Sequence, residues 1–468
     1  MNNTFGSSWR IEKIALIQMC RENINWSDLG LGTGYLKAFL DQQRPEVYDI
    51  RIFRSTDFQN TCARESFDFV GVSTVSHYYD SAVKLANWIR TNQIAPMVII
   101  GGPHITCAPQ SLAPCFDFGV VGEGEITFLE LLDSLSAGLP YSQIATIGGL
   151  LSWQDGKPVL MARRPLLSDL DTLPLPDINI FKETGSIPSI LLTRGCPFSC
   201  SFCISSAMWQ SKVRRPSPDC TVNILKKLNE QMAGLKVMII KDDIAFISSD
   251  YLRNIISRME QTSPELLHIP KVVYSRADIF TPDFARALKD FGVYKTVFGF
   301  ESGSDRILKI LKGRKATVDQ NQTAIDIAHE MGFVSAGHFI IGAPEETVDD
   351  LRLTYNFILR NLSAGKLPSP TTTVLTPFPG TRYWQTLLER EPGATLTAFR
   401  WDRLEENGFA SYYSEMGGTV EEWWEYREAN QKVYLGKVPK KEFLGIASAY
   451  EPEITMKHAN FLLKDYKY

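Results

Sequence analysis

Apolar residues fall into short runs separated by stretches with helical spacing. Runs at 13–19, 69–73, 97–101 and 118–121 read as strands, and 35–41, 81–91 and 126–136 as helices. Short apolar strands alternating with helices predict a parallel sheet covered on both faces. Residues 1–145 are therefore expected to form one α/β domain, an open, doubly wound, Rossmann-like sheet. Residues 150–153 and 158–161 flank Asp155-Gly156, a strong hairpin turn signal. A polar, Pro-rich stretch follows at 168–176. Together these make 146–185 a hairpin and linker.

A second series begins at Ser189. Strands are predicted at 189–194, 236–240, 272–275, 296–300, 335–341 and 371–375. Helices are predicted at 221–232, 250–260, 282–291, 304–311, 320–331 and 348–362. Such a series falls short of the about 250 residues typical of a closed eight-fold barrel. It predicts a partial (β/α)6 barrel over 186–385. Residues 386–468 read as a small, mostly helical C-terminal region, rich in Trp and Tyr. Trp401, Trp423 and Trp424 either close the open side of the barrel or are plain packing residues.

Composition narrows the function. The chain has 468 residues, with 49 Lys and Arg against 53 Asp and Glu and a net charge of −4. That balance argues against a dedicated nucleic-acid surface. No apolar run reaches the about 18 residues of a membrane span, and residues 1–10 lack a signal-peptide core. The expectation is a cytoplasmic protein without a membrane partner. Eight Cys are too few for a disulfide scaffold.

Three of the eight crowd together. Cys196, Cys200 and Cys203 spell C-x3-C-x2-C just after the first barrel strand, at the rim where barrel active sites lie. Three thiolates on one loop are able to hold three irons of a [4Fe–4S] cube and leave one iron open. An electron carrier closes that position with a fourth Cys, whereas a catalytic site keeps it open. A structural zinc site and three unrelated buried thiols are the alternatives.

The loop from Arg194 to Cys203, with Phe202 before the last Cys, resembles that of the radical S-adenosylmethionine (SAM) enzymes. The resemblance implies that the open iron chelates SAM and that the reduced cluster cleaves it to a 5′-deoxyadenosyl radical. It implies SAM contacts at Phe202, at Arg276 through the SAM carboxylate, and at Glu301 and Ser302 of Gly299-Phe300-Glu301-Ser302-Gly303. Ile340 and Gly342 match the fifth-strand segment that lies beside adenine. The first position of that pattern is here His338 rather than Gly. Asp242 and Asp243, after the second strand, are candidate substrate contacts or solvated rim carboxylates.

Three motifs follow strands of the first domain: Ser73-Thr74-Val75, Gly101-Gly102-Pro103-His104 and Gly122-Glu123-Gly124-Glu125. Ligands of open parallel sheets bind beyond such strand ends. Segments 29–36, 72–75, 100–104 and 121–125 resemble cobalamin-binding domains fused to radical SAM barrels. The resemblance implies cobalamin contacts at Leu31, Gly32, Tyr35, Ser73, Thr74, Gly101, Gly102, His104, Gly122 and Glu123. The D-x-H-x-x-G motif of another cobalamin branch is missing from the sequence, which implies cobalt without a His below it.

The resemblance as a whole implies a [4Fe–4S] cluster, SAM and cobalamin. It implies a methyltransferase in which the radical activates a substrate carbon and methylcobalamin donates the methyl group. The expected setting is small-molecule or natural-product biosynthesis. The expected partners are a small-molecule or peptide substrate and a one-electron reductant of flavodoxin or ferredoxin type. A non-methylating rearrangement, cyclisation or group transfer from SAM is the alternative, followed by a methylthiotransferase.

Overall fold

The computed structural model describes residues 10–20, 31–62, 65–179, 187–232, 234–390, 396, 399–404, 409, 417–430 and 435–465. The chain divides into two compact units, residues 1–188 with 391–402 and residues 189–390 with 403–468. No helix among the described residues is long and apolar enough to cross a membrane.

The first unit is built on β1 (Lys13–Gln18), β2 (Asp49–Arg54), β3 (Phe69–Ser73), β4 (Met97–Gly101), β5 (Phe118–Val120), β6 (Leu150–Gln154) and β7 (Lys157–Leu160). They lie in the order β2-β1-β3-β4-β5-β6-β7. β1 to β5 are parallel. Their apolar residues, among them Leu16, Phe69, Ile99 and Phe118, pack on Phe128, Leu131 and Leu135 of helix Gly124–Ser136. Strand order reverses between β1 and β3, so the ligand crevice of such a sheet falls beyond their carboxyl ends.

β2 and helix Ser55–Thr61 escape the hydrophobic pattern. β2 lies at the sheet edge, and Asp49, Arg51 and Arg54 interrupt its apolar positions. The hairpin does not stand apart in a linker. β6 pairs antiparallel with β5 and extends the first sheet. Asp155 and Gly156 have φ of +48° and +74°, the left-handed pair that a type I′ turn requires.

The same unit receives Trp401. Its buried ring lies 4.5 Å from the His104 ring and 5.9 Å from the Tyr79 ring, centroid to centroid. The Asp402 amide donates to Asp80 at 3.2 Å. Trp401 is therefore a core residue of the N-terminal unit. Trp423 and Trp424 pack on Phe409 and Phe443 in the second unit.

The second unit is built on β8 (Ser189–Ile190), β9 (Met238–Ile240), β10 (Lys271–Ser275), β11 (Val293–Glu301), β12 (Val334–Ile341) and β13 (Ser369–Val374). They form an all-parallel sheet in the order β13-β12-β11-β10-β9-β8. This is the expected six-stranded partial barrel. Phe298, Phe300 and Phe339 point to one face, where Phe357 of helix Val348–Ser363 meets Phe300 at 6.4 Å and Phe339 at 6.1 Å. Alternation sends Lys295, Val297, Ala336, His338 and Ile340 to the opposite, concave face. Helix Lys440–Asp465 lies on the edge strand β13. Its buried Glu451 accepts hydrogen bonds from Tyr355 at 2.7 Å and Thr372 at 2.5 Å.

Helix Val348–Ser363 opens on a capping box of Thr347 and Asp350. Asp350 also accepts from Ser304 at 2.6 Å and pairs with Arg306. Burial would raise its pKa, but the hydrogen bonds from Arg306, Ser304 and Thr347 hold it at about 2.

Two predictions follow from this packing. Trp401→Ala empties a fully buried aromatic site and should cost about 4 kcal/mol. Urea unfolding of the full chain measures it, and an unchanged midpoint would show that Trp401 is not core. Asp350→Ala should cost about 3 kcal/mol near neutral pH. Because the folded pKa lies below the unfolded one, this contribution is fully present above about pH 4. It should shrink as the pH falls towards about 2, so stability curves of wild type and variant should converge in acid.

Candidate functional site

β8 is shorter than the sequence pattern suggests, and Asp242 is the reason. Its carboxylate, at the end of β9, accepts the amides of Leu192 at 2.7 Å and Thr193 at 3.0 Å, and the Thr193 hydroxyl at 3.0 Å. The chain leaves the ladder there because a side chain takes over its backbone donors. Burial pushes Asp242 up to about 7. Asp242 is thus a buried brace for the segment entering the cysteine loop, with both oxygens engaged, and not a free substrate contact.

Beyond it, Arg194 and Arg214 exchange backbone hydrogen bonds at 3.0 Å. Gly195 has φ of +100°, and a Cβ there would collide with the Lys212 carbonyl, so only glycine fits. The Ser201 amide donates to Leu311 at 2.9 Å, and the Arg382 amide donates to Ser201 at 3.2 Å. The three thiols are thereby carried on a loop tied on both sides. Cys203 accepts the Ser205 amide at 3.5 Å, and Cys200 accepts Arg276 Nη1 at 3.1 Å. Burial raises Cys196 and pushes Cys203 up to about 12. Deprotonation there calls for a bound cation. A soft-donor set on one loop, with amide and guanidinium donors aimed at its sulfurs, fits an iron–sulfur cluster. Phe202 is half-buried in this loop.

Arg276 is more committed than the sequence suggests. It grips Asp278 with two hydrogen bonds, at 2.9 and 2.8 Å, and its guanidinium lies 3.7 Å from the Phe198 ring centre. Its third contact is the Cys200 sulfur. Asp243 reaches the rim. It is exposed, accepts from Ser205 at 3.1 Å, and its charge acts on Cys196 and Cys203.

The segment 299–303 ends β11 in a bulge. Glu301 has φ of +65°, unusual for a side chain with Cβ. This turns its carboxylate back over Gly299, where a Cβ would collide with it. Lys312 closes the turn: its Nζ donates to the Gly299 carbonyl and lies 3.9 Å from Glu301. Ser302 is fully buried, within 3.0 Å of the Thr354 hydroxyl, and accepts the Ser304 amide at 3.1 Å. It fixes the bulge. Ile340 lies on the concave face two residues beyond His338. The Gly342 amide is taken by buried Glu346 at 2.6 Å, and burial pushes Glu346 up to about 8.

At the rim of the first sheet, two expected cobalamin contacts, His104 and Thr74, prove to be internal, and a third, Glu123, is tied to a backbone amide. His104 is fully buried between Ser76 at 3.1 Å and Ser111 at 2.8 Å, and burial lowers its pKa to about 3. Thr74 is buried and accepts the His104 amide at 3.2 Å. Glu123 accepts the Leu167 amide at 2.7 Å. What the rim offers instead is backbone and small groups. Ser73, Gly101 and Gly102 are partly open, Gly32 and Gly122 are exposed, and Leu31 and Tyr35 are buried beside them. A Cβ at Gly32 or Gly122 would meet nothing within 4 Å. Such an open, glycine-lined edge suits a broad ligand held through backbone groups. Residues 21–30, part of the expected contact loop, lie outside the described residues.

Sequence reasoning missed Asp278, Lys312 and Glu346. The first two were readable only as charges flanking motifs, and nothing in the sequence tied them to the cysteine loop. Lys295 was missed as well, although a lone Lys inside an apolar strand is a visible signal.

Comparison with known proteins agrees with this geometry. The radical SAM superfamily model matches residues 190–358, and the B12 binding domain model matches residues 25–132. An uncharacterized methyltransferase of Pyrococcus horikoshii is 32% identical over 375 residues, covering 76% of this chain and 77% of that protein. The radical SAM methyltransferase TsrM from Kitasatospora setae, solved with cobalamin and a [4Fe–4S] cluster, has a similar fold. Its TM-score is 0.67 at 17% identity, covering 82% of this chain and 76% of that one. The cobalamin-dependent SAM radical enzyme OxsB gives a TM-score of 0.69 at 16% identity, covering 97% and 72%. This chain therefore belongs to the radical SAM enzymes that carry a B12-binding domain, and shares their cofactor set of [4Fe–4S] cluster, SAM and cobalamin.

Proposed function

We propose that the protein is a cytoplasmic methyltransferase that acts on an unactivated carbon of a small molecule, supplied with single electrons by a flavodoxin- or ferredoxin-type partner. One observation carries the reading. A single chain joins a three-thiol loop, with Arg276 on Cys200, to a B12-type sheet whose rim is lined by glycine. When bound, the cofactors supply the radical and the methyl group.

The chain's own residues supply geometry. Cys196, Cys200 and Cys203 hold the cluster. Arg276 sets a positive charge against the Cys200 sulfur, and Asp278 fixes that charge in place. The bulge keeps the Glu301 carboxylate turned inward against Lys312. Ile340 offers an apolar surface on the concave face for a flat ring. Asp243 orients the substrate beside the cysteine loop. Gly32, Ser73, Gly101, Gly102 and Gly122 would hold the corrin edge through backbone and small groups.

Changing Cys196, Cys200 and Cys203 together to Ala should reduce iron from about four per chain to background after anaerobic reconstitution. 5′-Deoxyadenosine formation should vanish with it. A triple variant that kept its iron and cleaved SAM would overturn the assignment. Cobalamin gives a separate test. Electron paramagnetic resonance of the cob(II)alamin form should show no nitrogen splitting from an axial base, and splitting lost in a His77→Ala or His104→Ala variant would refute the His-free rim.

A further inference from the structure

The concave face of the barrel sheet carries a cation without a counter-ion. Lys295 on β11 shares this face with Val297, which packs with Val272 of β10 and Ala336 of β12. The opposite face is sealed by Phe298, Phe300 and Phe339 under the helices. Lys295 is half-buried, and among the described residues no carboxylate or carbonyl pairs with its ammonium. Burial lowers its pKa, and no acid offsets that effect. The nearest acid by register, Glu301 over Gly299, faces Lys312.

Two imidazoles join it. His338 pairs in register with Gly299 and Thr371, so its exposed side chain stands on the same concave face. Water reaches the ring, yet surrounding protein and the Lys295 charge lower its pKa. That combination describes the wall of a wet recess, not an outer surface. His458, from helix Lys440–Asp465, lies 3.1 Å from Ser369 of β13 and also senses Lys295. Three groups able to carry positive charge thus face one recess from β11, β12 and the C-terminal helix.

We propose that Lys295, His338 and His458 form a binding site for an oxyanion, a carboxylate, phosphate or phosphonate, on the end of the substrate remote from its reacting carbon. A half-buried ammonium without a partner is costly, and a ligand anion offsets that cost. Depth sets the ligand's shape. Lys295 lies four residues below Gly299, about 13 Å along the strand. The cysteine loop sits at the opposite, carboxyl end of the strands. The substrate is therefore an acid whose charged end reaches into the recess between Lys295 and His338, with its reacting carbon at the rim. This assignment rests on the function proposed above only in calling the ligand a substrate.

The test uses the full chain, reconstituted, with inorganic phosphate and acetate as probes at ionic strength held constant by chloride. Phosphate or acetate should shift the imidazole resonances of His338, assigned with His338→Gln. Lys295→Met should weaken binding about tenfold or more, and Lys295→Arg should retain it. Lys226→Met, on the exposed face of helix Pro218–Gln231, should leave binding unchanged. Failure of both anions to bind, or equal binding to wild type and Lys295→Met, overturns the site. 5′-Deoxyadenosine formation in the same preparations reports on the radical function separately. Its loss with Lys295-dependent anion binding intact would sink the function and leave the site standing.

Discussion

Side-chain alternation in β11 and β12 is the constraint on which the second unit depends. Each strand gives one face to the helices and the other to the barrel interior, and a one-residue slip would exchange them. The outward set is dominated by Phe298, Phe300, Phe339 and Ile341, with Thr296 and Ser335 buried among them, while the inward set mixes Ile340 and Val297 with Lys295 and His338. A slip would place Lys295 and His338 under Phe357 and turn three phenylalanines to water, so register is strongly enforced. Register departs from this pattern between Val293 and Lys295 against β10, and at the bulge of Gly299 and Glu301. The bulge keeps Phe300 under the helices and folds the carboxylate inward.

Carboxylates take over backbone amides at several strand and helix ends. Asp242 replaces ladder partners for Leu192 and Thr193, Glu346 caps Gly342, Glu123 ties Leu167, and Asp350 anchors Ser304 and Thr347. Backbone groups at the rim must be satisfied once the ladder stops. Here side chains from neighbouring strands and helices satisfy those of Leu192, Thr193, Gly342 and Leu167 and tie these rim segments down. A site that must hold a reactive species against one atom needs that fixity.

Much of this was legible in the sequence. The barrel strands and helices stood out because strands buried on a parallel sheet read as apolar runs, and Pro or Thr marked several helix starts. β8 was overread because a carboxylate fifty residues away ends it, and no local pattern carries that information. β2 was missed because an edge strand tolerates charge. The cysteine spacing named the cluster loop outright. His104 misled, since a histidine after two glycines resembles a rim ligand while its serine partners sit 28 and 7 residues away. The C-terminal region was opaque because Trp401 packs with Tyr79 and His104, some three hundred residues earlier, and no periodicity encodes such a partner.

Trp401 also sets an order of events during synthesis. The N-terminal unit is discontinuous, since its last core residue is made only after the whole barrel has been translated. At typical elongation rates the first sheet waits on the order of tens of seconds for that ring. During this interval the faces of Tyr79 and His104 stand uncovered on the nascent chain. Early collapse of the N-terminal sheet is then provisional, and its completion is coupled to the appearance of residues beyond the barrel. A ribosome that stalls before Trp401 leaves a fragment with a sheet but with an open aromatic socket, the kind of surface that chaperones hold.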